Sequence, residues 1–244
     1  MQVLFISDLH LGASSREITA CFLDFCREII REKNVIPAKA GTEALYILGD
    51  LFEAWVGDDE NASWLDEIGT ALKNLSDNNI KLYFMRGNRD FLLGKRWAEK
   101  CGAVLLPDPV LINLYNIPTL LTHGDILCTE DKNYQRWRKF SHHSLVQKLF
   151  LMLPLKFRQN IANSLRKESR KYTKNLAGEK MDVSISAVEN MVREYQVTQI
   201  IHGHTHRPAV HTTATYRRYV LPDWHPKGGV LVVKPGESPE LCIF

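Results

Sequence analysis

Side chains that can bind metal ions follow five short apolar runs of the sequence. In chain order these clusters are Asp8-Leu9-His10, Gly49-Asp50, Gly87-Asn88-Arg89-Asp90, His123-Gly124-Asp125 and His202-Gly203-His204-Thr205-His206. Carboxylate and amide oxygens and neutral imidazole nitrogens are the groups with which proteins hold divalent cations. One such cluster alone is more often an ordinary turn. Five in succession, each behind an apolar run, predict a metal site.

The apolar runs are candidate β-strands, and their carboxyl ends would bring the five clusters to one rim, where α/β sheets bind ligands. Asp8 and His10 are two residues apart, as are His204 and His206, and in an extended backbone residues at that spacing point the same way. The glycines at positions 49, 87, 124 and 203 let the backbone turn sharply or approach an ion closely. We therefore expect all five clusters to converge.

The periodicity of apolar residues predicts strands that alternate with helices. Strands are expected at residues 3–6, 44–48, 80–85, 118–122 and 198–201, with 219–221 and 229–233 finishing the sheet edge. Helical spacing covers residues 16–33 and 62–77,. This alternation predicts a layered α/β fold with much parallel pairing.

The composition is that of an ordinary globular protein. The chain has 244 residues, of which 45% are hydrophobic and 24% charged,. Its longest apolar stretch, residues 149–155, is too short to cross a bilayer, which takes roughly 20 residues. The first residues predict a β-strand and not a signal peptide. Five cysteines without a paired spacing are typical of reduced thiols in a cytosol.

The charge is divided unevenly along the chain. Residues 132–180 carry +11, while the rest of the chain carries −8. The segment 131–180 also breaks the strand-helix rhythm, so we expect two to four helices forming a cap inserted into a core of residues 1–130 and 181–244. Mixed basic and aliphatic helices are typical of anionic membrane surfaces, or of a site for a substrate with both phosphate and acyl chains. Alternatively, the apolar stripe packs on the core and the bases are solvated.

The order Asp-Leu-His, Gly-Asp, Gly-Asn-Arg-Asp, His-Gly-Asp and Gly-His-Thr-His resembles the calcineurin-like metallophosphoesterase family. The resemblance implies a two-sheet β-sandwich flanked by helices. It implies one metal ion held by Asp8, His10 and His206 and a second held by Asn88, His123 and His204, with Asp50 bridging both. It also implies direct catalytic roles for Asp50, Asn88, Arg89 and His123. Imidazole and amide ligands favour Mn²⁺ over Mg²⁺, and two such cations roughly 3.5–4 Å apart can activate a water for attack on phosphorus.

The arginine at position 89 narrows the range of possible substrates. Many members of the wider family carry a histidine at this position. Arginine stays charged near neutral pH and is a poor proton donor, but it binds phosphate in a bidentate manner. An alkoxide leaving group needs a proton, whereas a phosphate leaving group does not. Arg89 therefore favours a pyrophosphate substrate. The alternative is that Arg89 forms a salt bridge at the rim of the site.

Further motifs are similar to the branch of this family that hydrolyses UDP-2,3-diacylglucosamine in lipid A biosynthesis, among them Leu127-Cys128-Thr129 and Met181-Asp182-Val183. That resemblance implies release of UMP and 2,3-diacylglucosamine 1-phosphate by a peripheral protein on the cytoplasmic side of the inner membrane, with no nucleic acid and no obligate protein partner. The substrate contacts that carry over are Asn88, Arg89, Asp131, Ser169 and His204. Thr173 stands where the branch has Asn and can still donate a hydrogen bond to the substrate. Leu176 stands where the branch has Lys and cannot carry a charge, so Lys174 is the candidate replacement for the missing cation.

Two other functions compete with this interpretation. A nuclease or cyclic-nucleotide phosphodiesterase on the same core would use the basic segment to hold phosphates, although that segment has few aromatic residues for base stacking. A non-enzymatic scaffold would have no need of the metal ligands, and here every expected position carries a ligand residue.

Overall fold

The apolar runs of the sequence form the strands of two β-sheets. The computed structural model describes residues 1–35, 41–175 and 182–244. Its strands are β1 (Gln2–Ile6), β2 (Thr42–Leu48), β3 (Lys81–Met85), β4 (Ala103–Leu106), β5 (Val110–Leu114), β6 (Ile117–Thr122), β7 (Gln199–His202), β8 (Ala209–Thr212), β9 (Arg217–Val220), β10 (Gly229–Val233) and β11 (Glu240–Ile243). Its helices are α1 (Arg16–Val35), α2 (Ser63–Asp77), α3 (Lys95–Lys100), α4 (Lys132–Ser141), α5 (Ser144–Leu151), α6 (Leu155–Asn175) and α7 (Ile185–Tyr195).

The strand order places the predicted clusters at neighbouring strand ends. The first sheet has the order β11-β10-β1-β2-β3-β4, and the second has the order β5-β6-β7-β9-β8. Strands β1 to β4 pair in parallel, as do β6, β7 and β9. The predicted α/β fold with much parallel pairing is therefore confirmed, as is the two-sheet sandwich.

Apolar side chains fill three layers around the two sheets. Between the sheets, Phe5 and Leu48 of the first meet Leu121 and Ile201 of the second. Outside the first sheet, α1, α2 and α3 bury an apolar face against its strands, and α7 covers the second sheet. Each fully buried large apolar side chain contributes about 1.5–3 kcal/mol relative to exposure. These layers hold the strand ends in fixed relative positions.

The prediction that residues 219–221 and 229–233 finish the sheet edge was wrong. Strand β10 lies between β1 and β11, and β9 lies between β7 and β8. The true outer strands β4, β5, β8 and β11 were not predicted. They are short and half-exposed, so their sequences lack the continuous apolar run by which a buried strand is recognised.

Helices α4, α5 and α6, here named the three-helix segment (residues 132–175), follow one another between the two halves of the core. Their number lies within the expected two to four. Asp131 begins α4 as its N-cap, because its Oδ1 accepts a hydrogen bond from Tyr134 N at 2.9 Å,. Among the described residues, none of the helices combines the length and apolar character needed to cross a bilayer.

Arg158 of α6 anchors the three-helix segment to the loop after β2. Its side chain is 3% exposed, and Nη1 donates to Val56 O at 2.5 Å and to Asp59 Oδ1 at 2.8 Å. Nε donates to Leu153 O at 2.8 Å, which closes the turn between α5 and α6. The Arg158 guanidinium thus donates hydrogen bonds both to the loop after β2 and to the three-helix segment itself.

We expect Arg158→Ala to lower the free energy of unfolding by about 2–3 kcal/mol, less than for a fully buried pair because the carboxylate of Asp59 is half exposed. The melting temperature should fall by roughly 5–10 °C, measured by circular dichroism. Arg31→Ala removes an exposed ion pair with Glu28 and is the control, with an expected loss under about 0.5 kcal/mol. Equal losses in the two variants would contradict the anchoring role.

Candidate metal centre

Backbone hydrogen bonds tie the predicted loops to one another. Asp8 N donates to Gly49 O at 3.1 Å, and His10 N donates to Asp50 O at 3.0 Å. In the second sheet, Gly203 N donates to His123 O at 2.9 Å. The two sheets are joined where the His204 N–H donates to Asp8 Oδ2 at 2.8 Å. The strand ends of both sheets therefore form one continuous rim, as the sequence predicted.

Left-handed backbone conformations cluster at this rim. Positive φ angles occur at Asp8 (57°), His10 (51°), Asp50 (53°), His204 (71°) and His206 (53°). Such angles are uncommon for residues other than glycine and concentrate at functional sites, where the surrounding structure maintains them. The convergence of the spaced pairs is confirmed, but the expected reason was wrong. The backbone is not extended at these residues, and the left-handed turns aim the side chains.

The first group of candidate ligands consists of Asp8, His10 and His206. His206 Nε2 lies 3.3 Å from His10 Nε2 and 3.4 Å from Asp8 Oδ1. Two nitrogens bound to one metal at about 2.1 Å each lie roughly 3–3.5 Å apart. Among the described residues, Asp8 Oδ1 and His10 Nδ1 are buried without a hydrogen-bond partner. A buried carboxylate oxygen in this state is costly, and a divalent cation satisfies it, so these residues fit a metal.

The second group consists of Asp8, Asp50 and His123, with Asn88 beside them. His123 Nε2 is 3.0 Å from Asn88 Oδ1 and 3.8 Å from Asp50 Oδ1. The His204 ring packs edge-on against the His123 ring, with centroids 5.0 Å apart. The structure thus brings every predicted metal ligand into contact with another member of the set.

Asp50 belongs to the second group and also approaches the first. Its Oδ1 lies 3.8 Å from His123 Nε2, while its Oδ2 lies 4.0 Å from His10 Nδ1. Each carboxylate oxygen therefore faces a histidine of a different group, and the bridging role stays a prediction. Burial, together with the nearby Asp90 and Asp8, raises the pKa of Asp50 to about 7 against the opposing effect of His123. Divalent cations would favour its charged form.

Asp90, to which sequence reasoning assigned no role of its own, holds two loops of the candidate metal site together. Its Oδ1 accepts hydrogen bonds from Gly87 N at 2.8 Å and Asp50 N at 3.2 Å, and its Oδ2 accepts one from Phe52 N at 3.3 Å. The sequence signal for Asp90 was its position as the fourth residue of the Gly-Asn-Arg-Asp cluster. Its hydrogen bonds to backbone N–H groups of the neighbouring loop depend on the tertiary structure, so the sequence alone could not reveal them.

A backbone carbonyl sets the orientation of the His123 ring. Its Nδ1 lies 2.9 Å from Leu48 O, which can only accept a hydrogen bond. Nδ1 therefore carries the proton, and Nε2 faces Asn88 and Asp50. Burial opposes a charge on this ring, but the carboxylates of Asp50, Asp8 and Asp125 outweigh it and raise the pKa of His123 to about 9. Nε2 is the atom that would bind a cation, which would displace the Nε2 proton.

Glycine at positions 49 and 87 allows the two loops to touch. A Cβ at Gly87 would lie 2.2 Å from Asp50 Oδ1, and one at Gly49 would lie 2.5 Å from His123 Nδ1. Gly49 also has a positive φ of 89°. Both observations agree with the predicted need for close backbone approach.

A polar cleft of about 260 Å³ opens beside the first ligand group. The residues that line it are His10, Ser14, Ser15, Glu53, Arg89, Arg166, His206 and His225. The main chain of Arg89 is anchored, because its N–H donates to Asp50 Oδ1 at 2.8 Å and its carbonyl accepts from Trp55 N at 3.1 Å. Arg166 of α6 reaches the cleft and donates to Glu53 Oε1 at 2.6 Å. Two guanidinium groups thus line one cleft.

Helix α4 contacts the His-Gly-Asp loop through several hydrogen bonds. Asp125 Oδ2 accepts hydrogen bonds from Tyr134 Oη at 2.6 Å and Arg138 Nε at 2.7 Å, and Gln135 Nε2 donates to Asp125 O at 2.8 Å. Asp125 is almost fully buried. Burial alone would raise its pKa, but His123, His204 and Arg138 hold that pKa well below its usual range. Helix α4 is therefore attached directly to a metal-binding loop.

The expected substrate contacts are dispersed around this arrangement. Asp131 caps α4, and Ser169 is exposed on α6, three residues beyond Arg166. The side chains of Thr173 and Lys174, and the whole of Leu176, lie outside the described residues. The predicted substrate contacts of Asp131, Ser169, Thr173 and Lys174 stay predictions.

His202, which precedes the His204 and His206 pair, is fully buried. Its Nδ1 lies 2.8 Å from Gly203 O and its Nε2 lies 3.1 Å from Arg218 Nη1. Burial lowers the pKa of His202 to about 4. His142 stacks on Phe91 with ring centroids 5.1 Å apart, which links α4 to the loop after β3.

Comparison with known proteins agrees with this architecture. The family described as Calcineurin-like phosphoesterase matches residues 1–208. The chain belongs to the calcineurin-like phosphoesterase family. It is 44% identical over 239 residues to the UDP-2,3-diacylglucosamine hydrolase of Photobacterium profundum, covering 96% of this chain and 94% of that one. It is 44% identical over 249 residues to the UDP-2,3-diacylglucosamine hydrolase of Yersinia pseudotuberculosis, covering 100% and 99%.

Similarity among solved structures concerns the fold alone. The crystal structure of a hypothetical protein from Pyrococcus horikoshii superposes with a TM-score of 0.51 at 12% sequence identity, covering 99% of this chain and 87% of that chain. The shared fold supports the sandwich architecture.

Proposed function

We propose that the protein hydrolyses the pyrophosphate bond of UDP-2,3-diacylglucosamine to UMP and 2,3-diacylglucosamine 1-phosphate, a step of lipid A biosynthesis. The observation that carries this proposal is the cluster of candidate metal ligands at one rim, in a chain similar over its full length to curated hydrolases of that substrate. The anchored Arg89, which favours a phosphate leaving group, supports the same substrate class.

The proposal includes two divalent cations, with Mn²⁺ preferred. Asp8, His10 and His206 would hold one, and Asn88, His123 and His204 the other, with Asp50 between them. When bound, the cations supply charge that activates a water and offsets the negative phosphoryl oxygens. The mixture of imidazole, amide and carboxylate donors supports Mn²⁺ over Mg²⁺. Metal analysis after loading with each cation tests this preference.

The side chains around the cleft would bind the phosphate groups of the substrate and position one another. The guanidinium groups of Arg89 and Arg166 can each bind phosphate oxygens in a bidentate manner, which stabilises charge that develops in the transition state. Glu53 orients Arg166 in the described structure. Asp50 accepts the Arg89 N–H and so fixes the position of that residue relative to the ligands. The expected contacts of Asn88, Asp131, Ser169, His204, Thr173 and Lys174 with the substrate belong to this proposal.

The proposed substrate is tested by measuring hydrolysis of two classes of phosphate compound. The purified chain with Mn²⁺ is incubated either with UDP-2,3-diacylglucosamine in detergent micelles or with single-stranded DNA. We expect UMP release from the first and no cleavage of the second. Rapid DNA cleavage without UMP release would favour the nuclease alternative instead.

Hydrolysis in ¹⁸O-labelled water tests the direction of attack. Because the sugar phosphate is the leaving group in the proposed reaction, the label is expected in UMP, as measured by mass spectrometry. Label in 2,3-diacylglucosamine 1-phosphate would contradict attack at the uridine-side phosphorus.

We further propose that the three-helix segment is a cap that rests on the cytoplasmic face of the inner membrane. Large apolar side chains of this segment are exposed, including Leu149 (58%), Met152 (80%) and Phe157 (62%). Leu145 and Leu149 of α5 and its C-cap residue Met152 follow helical spacing, so they share one face,. Exposed Lys148 and Lys156 flank them. An apolar face with flanking cations supports binding to an anionic lipid surface.

We expect the double variant Leu149→Ser and Met152→Ser to bind vesicles that contain anionic lipid roughly tenfold more weakly, because it removes apolar area that would enter the interface. Sedimentation with vesicles measures the bound fraction. Val104→Ser changes an equally exposed side chain (56%) on β4 and serves as the control. Undiminished binding of the double variant would exclude this face as the docking surface.

A further inference from the structure

Asp223 lies directly behind one of the candidate metal ligands. Its Oδ2 is 3.4 Å from Nδ1 of His206, and its side chain is 22% exposed. The other ring nitrogen, Nε2, faces Asp8 Oδ1 and His10 Nε2 at 3.4 and 3.3 Å. Since the two nitrogens of an imidazole point to opposite sides of the ring, Asp223 is not placed to reach the ion that Nε2 would bind. Its carboxylate meets the ring from the far side.

The backbone around Asp223 is held on both sides. Leu221 N donates to His202 O at 2.7 Å, and Trp224 N donates to Asp8 O at 3.3 Å. The Trp224 ring is fully buried and packs edge-on against Phe25, with centroids 5.4 Å apart. The segment that carries Asp223 is thus attached to Asp8, a candidate ligand in the loop after β1, and to β7, the strand that precedes His206.

A similar relation occurs at His123, one of the other three candidate histidine ligands. Its Nδ1 faces Leu48 O at 2.9 Å, and its Nε2 faces Asn88 Oδ1 at 3.0 Å. In both rings an oxygen lies behind Nδ1, and Nε2 faces other candidate ligands. A partner that accepts the Nδ1 proton fixes the tautomer and the ring direction, and a carboxylate partner also makes Nε2 a stronger ligand.

We propose that Asp223 is a positioning residue that holds His206 with Nε2 directed at the first metal position and strengthens its bond to the cation. This role rests on the proposed metal binding by Asp8, His10 and His206. Asp223 acts through His206 and touches no reacting atom. Its removal should therefore weaken metal binding directly, and any effect on hydrolysis should follow from the lost metal.

The test is a titration of the metal-free full chain with Mn²⁺ alone, followed by the electron paramagnetic resonance signal of the free ion. We expect Asp223→Ala to weaken the affected Mn²⁺ site by about 10–100-fold. Asp223→Asn keeps an oxygen acceptor without the charge, so its loss should be smaller. Asp66→Ala removes a carboxylate from an exposed ion pair with Lys100 and should leave both sites unchanged.

The melting temperature of the metal-free variants separates positioning from folding. A positioning role predicts that metal-free Asp223→Asn and Asp223→Ala melt within a degree or two of the wild type while their Mn²⁺ affinity falls. An affinity within twofold of wild type in Asp223→Ala would overturn the proposal, as would an affinity loss matched by equal destabilisation of both metal-free variants. Failure of the wild-type chain itself to bind Mn²⁺ would refute the proposed metal centre instead, so the two failures are distinguishable.

Discussion

Replacing Asp50 with alanine is expected to remove tight Mn²⁺ binding and UMP release together. Its two carboxylate oxygens face His123 and His10, at 3.8 and 4.0 Å, so one substitution removes the proposed bridging carboxylate from beside both groups. The variant also loses the acceptor for the Arg89 N–H. We expect kcat to fall on the order of 10³-fold or more, equivalent to about 4 kcal/mol of transition-state stabilisation.

Metal content and initial rate are measured on the same preparation. Asp50→Asn keeps the acceptor for Arg89 and one ligating oxygen, so it should retain part of the metal and little of the activity. Asp24→Ala alters an exposed carboxylate paired with Arg27 and should match the wild type in both measurements. Normal metal content with full activity in Asp50→Ala would refute the bridging role.

Replacing Arg89 with alanine should reduce kcat/KM for the lipid substrate by roughly 10²–10³-fold, because a bidentate phosphate contact is lost in the cleft. The Mn²⁺ affinity should change little, since the guanidinium is not one of the proposed ligands. Arg89→Lys should not restore the rate, because an ammonium group cannot reproduce the planar pair of donors.

The release of UMP at varied substrate concentration measures these effects, with metal content determined in parallel. Arg27→Ala, which changes a surface arginine, is the control for loss of one positive charge. If Arg89 only forms a rim salt bridge, Arg89→Ala would retain near-normal kcat/KM. The contacts of the described residues favour a loss of kcat/KM in Arg89→Ala. The short ion pair in this cleft joins Glu53 to Arg166 at 2.6 Å.

The sequence by itself determined which residues meet at the site. Asp8, Asp50, Asn88, His123 and His206 each follow a buried apolar run, and such runs become neighbouring strands whose ends share a rim. Local chemistry was sufficient here because the ligand type, the flanking glycine and the strand are all contained within a few consecutive residues. The outer strands β4, β5, β8 and β11 escaped prediction, since strands exposed on one side carry a weak pattern.

Tertiary structure decided how those residues are aimed and supported. The left-handed φ at Asp8 and His10 depends on hydrogen bonds from their N–H groups to Gly49 and Asp50, more than 35 positions away in the chain. The support of His206 by Asp223 likewise joins a loop after β9 to a loop after β7. No local pattern encodes such contacts, because a carboxylate's partner is selected by the packing of distant segments. The types of the ligands are therefore a property of short motifs, whereas their orientation is a property of the completed fold.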